Sequence, residues 1–277
     1  MGLASGNAMA AGCGCRIQPC GCTPPVVLVS CAGPDDRNDP LEIVALGRGR
    51  PSLEIGVQVS ATRAGTPEYP THSWIAAYAA GRLGQCGPCG GAALHLNGRW
   101  CRAACAGTLP AEAGALWGIS AGGVHAFDRL QLNFDAAADG ISAGPLAAFI
   151  GSQARRVVLQ AKPANMALLA GLDRLGAAFD VLFDASGGAG QRPDAWPEAL
   201  PGRFNAWAGG LGPDTAPDDI PRIAGMAAAG GLRHFGLDAQ RRLRTADGSR
   251  FDPGRAAAFH QAAEAWNVQR HPRTRQG

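Results

Sequence analysis

A carboxylate stands where an apolar run meets a glycine-rich loop. Val181-Leu182-Phe183 is followed by Asp184, then by Ala185-Ser186-Gly187-Gly188-Ala189-Gly190. A charged oxygen at the end of a buried segment is costly unless it is hydrogen-bonded or used. Glycines beside it let backbone N–H groups come close to a ligand. The alternative role for Asp184 is to close its own turn. A second cluster, Ala208-Gly209-Gly210-Leu211-Gly212-Pro213-Asp214, leads towards a helix start. Backbone donors and a helix dipole there suit a phosphate, although a tight turn without a ligand would carry the same glycines. The run Arg241-Arg242-Leu243-Arg244 is either a solvated loop or a further anion contact.

These residues need elements to hold them. Val26-Val27-Leu28-Val29 is a β-branched run closed by Ser30-Cys31-Ala32-Gly33-Pro34, and it reads as a buried strand and a loop. Asp39-Pro40 supplies an N-cap and a first-turn proline for a helix to about Leu46. Further strands are expected at 53–60, 92–96, 129–134, 156–160, 180–183, 204–208 and 233–237. Between them, helices are expected near 74–83, within 110–122, and at 143–152, 166–179, 194–200 and 213–229. A last helix runs from Asp252-Pro253 to Trp266. Eight strands alternating with eight helices imply right-handed βαβ units. Packed into about 240 residues, they favour closure into an α/β barrel, the (β/α)8 TIM fold, with chemistry at the C-terminal strand ends. That rule selects Cys31, Ser60, Asn97, Asn133, Lys162, Asp184, Gly209-Gly210 and Asp238.

The 277 residues suffice for one such barrel over residues 25–267, with extensions at 1–24 and 268–277. The first 24 residues are rich in Gly, Ala and Cys and carry no basic start before an apolar stretch, so they read as a flexible extension. No apolar run reaches the ~18 residues of a membrane span, and a cytoplasmic location is the default expectation. A net charge of +3 is far from the dense basic stripe of a nucleic-acid binder. Lys162 is the only lysine, so any imine chemistry would have to use it. Cys86 and Cys89 form a C-x2-C and Cys101 and Cys105 a C-x3-C. A strand between the pairs separates them by about 16–20 Å, too far for one zinc, and no metal is expected. His95 alternates with apolar neighbours and reads as a packed or hydrogen-bonded side chain.

The motifs at 183–190 and 208–214 resemble those after strands six and seven of phosphoribosylanthranilate isomerases. Ser30-Cys31-Ala32-Gly33 is similar to that family's first-strand cysteine motif. Gly56-Val57-Gln58-Val59-Ser60, with Thr66-Pro67-Glu68-Tyr69-Pro70, resembles its second strand and loop, and Leu130-Gln131-Leu132-Asn133 its fourth strand. The resemblance implies a cofactor-free Amadori rearrangement of a phosphorylated sugar adduct. It implies Asp184 as the acid that protonates the ribose ring oxygen and Cys31 as the base that takes the C2′ proton. The glycine clusters and the arginine run after the eighth strand put the expected phosphate site at Gly188, Gly190, Gly209, Gly210 and Arg241. Ser60, Arg63, Gln131, Asn133 and Asp238 would contact the rest of a small phosphorylated metabolite. The expected assembly is a monomer or homodimer.

The chain departs from that family in three places. Glu68 stands where an arginine precedes the loop tyrosine, Asn133-Phe134 replaces a His-Gly, and Asp238-Ala239-Gln240-Arg241 replaces a Ser-Gly-Val-Glu. These changes keep the scaffold and bear on the substrate. They leave open a relative acting on another phosphorylated or acidic metabolite, or a barrel that binds such a ligand without catalysis.

The composition of residues 1–24 leaves little apolar surface to bury, so their deletion should leave the melting temperature within about 2 °C of the full chain. A larger fall in differential scanning fluorimetry would show that the segment packs on the barrel.

Overall fold

Seven of the apolar runs are too short for helices and end at glycine, proline or a polar residue; together with the polar-flanked run at 129–132 they become strands. In a computed structural model that describes residues 25–85, 89–184 and 189–270, the strands are β1 (Val26–Ala32), β2 (Leu53–Ser60), β3 (Gly91–Asn97), β4 (Arg129–Leu132), β5 (Arg156–Ala161), β6 (Asp180–Phe183), β7 (Asn205–Ala208) and β8 (His234–Ala239). Each pairs in parallel with its sequence neighbour, and β8 returns to β1, so the sheet closes as a TIM barrel. The helices are α1 (Pro40–Gly47), α2 (His72–Leu83), α3 (Gly98–Cys105), α4 (Ala111–Trp117), α5 (Ala143–Ser152), α6 (Met166–Arg174), α7 (Ala216–Ala229) and α8 (Pro253–Arg270). Asp39 caps α1 by accepting from the Leu41 amide, as its sequence position implies.

The helices are distributed differently from the expectation. β3 is followed by two, α3 being the unexpected one, and no regular helix forms at 194–200. Pro197 interrupts that stretch, and Pro193 and Pro201 flank it. Its carbonyls are used by the barrel instead: Trp207 Nε1 donates to the Pro197 carbonyl at 3.0 Å. α3 forms because Trp100, Cys101, Ala104 and Cys105 make one buried face. In α6 the buried stripe is Leu168, Leu169 and Leu172, whereas Met166 and Leu175 are exposed. α7 begins at Ala216 rather than Pro213, and α8 continues through residues 268–270, which the sequence placed in a tail. Residues 1–24 and 271–277 lie outside the described residues.

Strand alternation sorts the side chains into two environments. Val27, Val29 and Cys31 of β1 join the large core shared with the helices. Leu28 packs instead against Val158, Leu182, Phe204 and Ala206, which come from strands and the adjoining loop only and plug the barrel interior. Two ion pairs adjoin this plug. Arg129 of β4 pairs with Glu54 of β2 at 2.6 Å, and both side chains are largely buried. Arg156 pairs with Asp180 at 2.7 Å. The two guanidinium groups lie 5.1 and 5.5 Å from the Phe204 ring, a cation–π arrangement.

A buried pair of this kind is strongly coupled, because removing one member strands the other in low dielectric. Arg129→Met should therefore cost about 3–5 kcal/mol in chemical denaturation, while the double variant Glu54→Leu/Arg129→Met should recover most of it. Equal losses in the single and double variants would show that Glu54 is solvated without its partner.

Candidate active site at the barrel mouth

Side chains at the C-terminal strand ends surround a cavity of about 440 Å³. Its size suits a small metabolite, and its wall is mostly polar. The floor is set by inward-facing residues of buried strands: Gln58, His95, Gln131 and Gln160, each almost wholly buried. Amides link up along one side. Gln131 donates to Asn133 at 3.0 Å, Asn133 to Asn97 at 3.1 Å, Asn97 to Gln58 at 2.7 Å and Gln58 to Gln240 at 3.3 Å. Every bond in this chain runs in the same direction. Carboxamides both donate and accept, so such a belt matches hydroxyl groups.

His95 lies at the centre, with Gln131 3.4 Å from its Nδ1. Its ring covers Gly56, where a Cβ atom would come within 2.7 Å of it. Burial, reinforced by Arg129, lowers its pKa to about 3. Its Nε2 is buried and meets no hydrogen-bond partner among the described residues. On the wall, Arg63 stacks on Tyr69 at 4.0 Å and donates to its hydroxyl at 3.1 Å. Glu68 beside them has a positive φ of 73°, an uncommon backbone state for this residue type. Asp35 accepts from its amide at 2.7 Å, and Arg244 pairs with its carboxylate at 3.4 Å. Lys162 faces the cavity engaged with Asp135 at 3.1 Å, an ion pair rather than the apolar setting that suits an imine-forming amine.

A smaller recess of about 40 Å³ opens beside the cavity and shares Asp184, Asp238, Gln240 and Arg241 with it. That space holds on the order of three waters. Gly190, Gly209 and Gly210 form its wall. The three loops after β6, β7 and β8 stack here with no room for side chains. A Cβ on Gly209 would lie 2.6 Å from the Gln191 carbonyl, and one on Gly190 would lie 2.6 Å from Arg241 Cδ. Gly209 and Gly210 also have φ of 122° and 62°, which side-chain-bearing residues rarely adopt.

The structure brings Arg63, Gln131, Asn133, Asp184 and Asp238 to the cavity, and Gly190, Gly209, Gly210 and Arg241 to the recess. Gly188 lies outside the described residues. Ser60 is buried beneath Gly98 and does not line the cavity. Cys31 is the principal correction. It is wholly buried in the layer between strands and helices, where burial pushes its thiol pKa well up. A base needs thiolate character and access to the substrate, and Cys31 has neither. The inward positions at that strand end belong to Ser30, which pairs in register with Asp238, and Ala32.

The helix after the second glycine cluster is a second correction. Thr215 satisfies the turn before α7, donating to the Gly210 carbonyl and accepting from the Gly212 amide, both at 3.2 Å. Asp218 and Asp219 occupy its first turn, so the positive end of that dipole already has carboxylates. Any anion in the recess would be held by loop amides and Arg241.

Gln58, Gln160 and Gln240 were missed as lining residues. The first two had a readable signal, being polar positions flanked by apolar ones within buried strands (Val57-Gln58-Val59 and Leu159-Gln160-Ala161).

No known protein-family model matches the sequence, and neither does any curated protein. Solved structures do resemble it. TrpF from Jonesia denitrificans superposes with a TM-score of 0.53 at 20% identity, over 88% of this chain and 98% of that one. The likeness is one of fold. The barrel-wide resemblance read from the strand ends is matched at that level. A spore coat polysaccharide biosynthesis protein E from Chromobacterium violaceum, described as putative in its own name, reaches the same TM-score of 0.53 at 12% identity, over 92% of this chain and 78% of that one. A phosphoribosyl anthranilate isomerase from Thermus thermophilus overlays more loosely, at 0.47 and 15% identity, over 86% and 99%. Among the described residues there is no cluster of three metal-ligating side chains, and no helix is long and apolar enough to cross a membrane.

A histidine kept neutral in the fold but protonated once unfolded makes stability fall as pH drops from about 6.5 towards 3, because the unfolded state then binds the extra proton. The His95 ring should show no NMR titration above pH 5. His95→Gln should flatten the decline of melting temperature between pH 6.5 and 4.5. A titration near pH 6 would place His95 in contact with solvent.

Proposed function

We propose that this barrel is an aldose–ketose isomerase acting on a phosphorylated sugar adduct, in the manner of phosphoribosylanthranilate isomerase. One observation carries the reading: Asp184 and Asp238 stand at the boundary between a polar, sugar-sized cavity and a recess walled by glycines and Arg241. A phosphoryl group at the recess would place the sugar's reactive carbons beside the two carboxyls and its hydroxyls along the amide belt. In the Amadori sequence Asp184 donates its proton to the ring oxygen as the C1′–O bond breaks, leaving an iminium at C1′. A base then removes the C2′ proton, and that electron pair forms the C1′=C2′ bond of an enolamine. Positioned acids and bases of this kind contribute about 10²–10⁴-fold each.

The departure at Glu68 and the engagement of Arg63 favour a second substrate over anthranilate. The Glu68 carboxylate stands on the cavity wall and would repel an aromatic acid, and Arg63 is held against Tyr69. A different phosphorylated amine adduct fits this wall better, and a non-catalytic phosphate-ligand barrel is the remaining reading. Placement in tryptophan biosynthesis belongs to the phosphoribosylanthranilate reading alone; a cytoplasmic location and a monomeric or homodimeric state go with either substrate.

Ribose 5-phosphate should raise the melting temperature saturably, by roughly 2–5 °C at tenfold excess over Kd, and Arg241→Gln should reduce the shift. Expression in a tryptophan auxotroph lacking the isomerase should then decide the substrate. Growth would assign phosphoribosylanthranilate, and a thermal shift without growth would assign another phosphorylated metabolite. Absence of both with folded protein would remove the phosphosugar reading.

A further inference from the structure

The Amadori reading needs a proton acceptor, and Cys31 is turned away from the cavity. The inference that follows rests on that reading. Asp238 is the last inward-facing residue of β8, and among the described residues only Asp184, Gln240 and Arg241 share with it the boundary of both the cavity and the recess. Its Oδ1 is buried and finds no hydrogen-bond partner among the described residues. An unpaired buried carboxylate oxygen is expensive, so a ligand group that completes it would be strongly selected. Across the strand pair lies Ser30, in register with Asp238 and beside its carboxyl. No other carboxylate of the described residues lines both spaces besides Asp184.

We propose that Asp238 is the base of the reaction, working with Asp184 as a carboxyl–carboxylate pair that exchanges one proton with the substrate. With the proton on Asp184, that carboxyl protonates the sugar oxygen as the C1′–O bond breaks. The Asp238 carboxylate takes the C2′ proton, and the C2′–H electrons become the C1′=C2′ bond. The pair begins and ends with one proton, so no oxidant or reductant is needed. The surroundings are consistent with this role. Burial first, with Glu54 and the ionised form of Asp184 adding, raises the Asp238 pKa to about 7, against Ser30 and Arg129, which lower it. Moving the shared proton onto Asp184 removes the Asp184 contribution and leaves Asp238 the freer to ionise. An acceptor matched to neutral pH is the strongest base still ionised there. The charged and titratable groups that bear on Asp238 are Asp184 from the β6 end, Glu54 from β2, Arg129 from β4, His95 from β3 and Arg241 from its own loop.

A phosphorylated epoxide, glycidol phosphate, tests this without the natural substrate. A carboxylate attacks the epoxide carbon, a C–O ester bond forms, the ring C–O bond breaks, and the released oxygen takes a proton from the neighbouring carboxyl. Peptide mapping by mass spectrometry should find one ester per chain, on Asp238. Its rate should rise with pH through about 7, as the carboxylate form appears, and fall about tenfold or more with saturating ribose 5-phosphate. Asp238→Asn should abolish the ester while the variant still binds ribose 5-phosphate, and Asp238→Glu should restore labelling. With any sugar phosphate found to turn over, Asp238→Asn should lower kcat by about 10²-fold or more with little change in KM. If ribose 5-phosphate binds but the ester falls on Asp184 or nowhere, Asp238 is not the base and the isomerase reading stands. If ribose 5-phosphate neither binds nor protects and no ester forms, both are overturned.

Discussion

A closed parallel barrel gives each strand one inward and one outward side, and successive residues must alternate between them. Everything at this mouth depends on that alternation. It sends Ser30 inward and Cys31 outward, and it puts Gln58, His95, Gln131 and Gln160 on the floor while their Leu and Val neighbours hold the helices. A shift of a single residue in any strand would exchange its polar set for its apolar one. The candidate chemistry is thus fixed by backbone phase before any side-chain contact is considered.

The interior is divided as well. One part is an apolar plug built on Leu28, Val158, Leu182, Phe204 and Ala206. The other carries the Glu54–Arg129 pair below His95 and the amides. The ion pair sits beneath the polar floor, and Arg129 helps to keep His95 uncharged while opposing the rise of Asp238. The loops divide the same way: those after β6, β7 and β8 interlock through glycines, whereas the wall of Arg63, Glu68 and Tyr69 is built by the loop after β2. A barrel arranged like this can hold one end of a ligand fixed while the other end is recognised by separate residues.

Much of the scaffold was legible because buried parallel strands read as short apolar runs bounded by glycine, proline or a polar residue. The strand boundaries at 53–60 and 156–160 and the helix at 143–152 needed nothing more. The site was less legible. Asp184, Asn133 and Asp238 follow from the rule that strand ends carry chemistry, but Cys31 satisfies the same rule and faces the wrong way. Phase cannot be read from a run such as Val26-Val27-Leu28-Val29, in which both sides are apolar. The helix expected at 194–200 gave way to prolines and to tertiary use of its carbonyls. The role of the recess glycines also required coordinates, since glycine spacing alone does not say whether the close neighbour is a ligand or another loop.

The amide belt has a consequence for the electrical character of the mouth. Because Gln131, Asn133, Asn97 and Gln58 each spend an N–H on the next oxygen, ending at Gln240, the group dipoles add head to tail and polarise one another. The belt behaves as a one-way wire whose positive terminus is the Gln240 amide, two residues beyond Asp238. No single member can turn over without leaving two donors or two oxygens facing each other, so the belt has two collective settings of opposite polarity rather than many local ones. The side chains from Gln131 to Gln240 therefore act as a single vectorial element, and a ligand that bonds to any one of them registers along the whole belt.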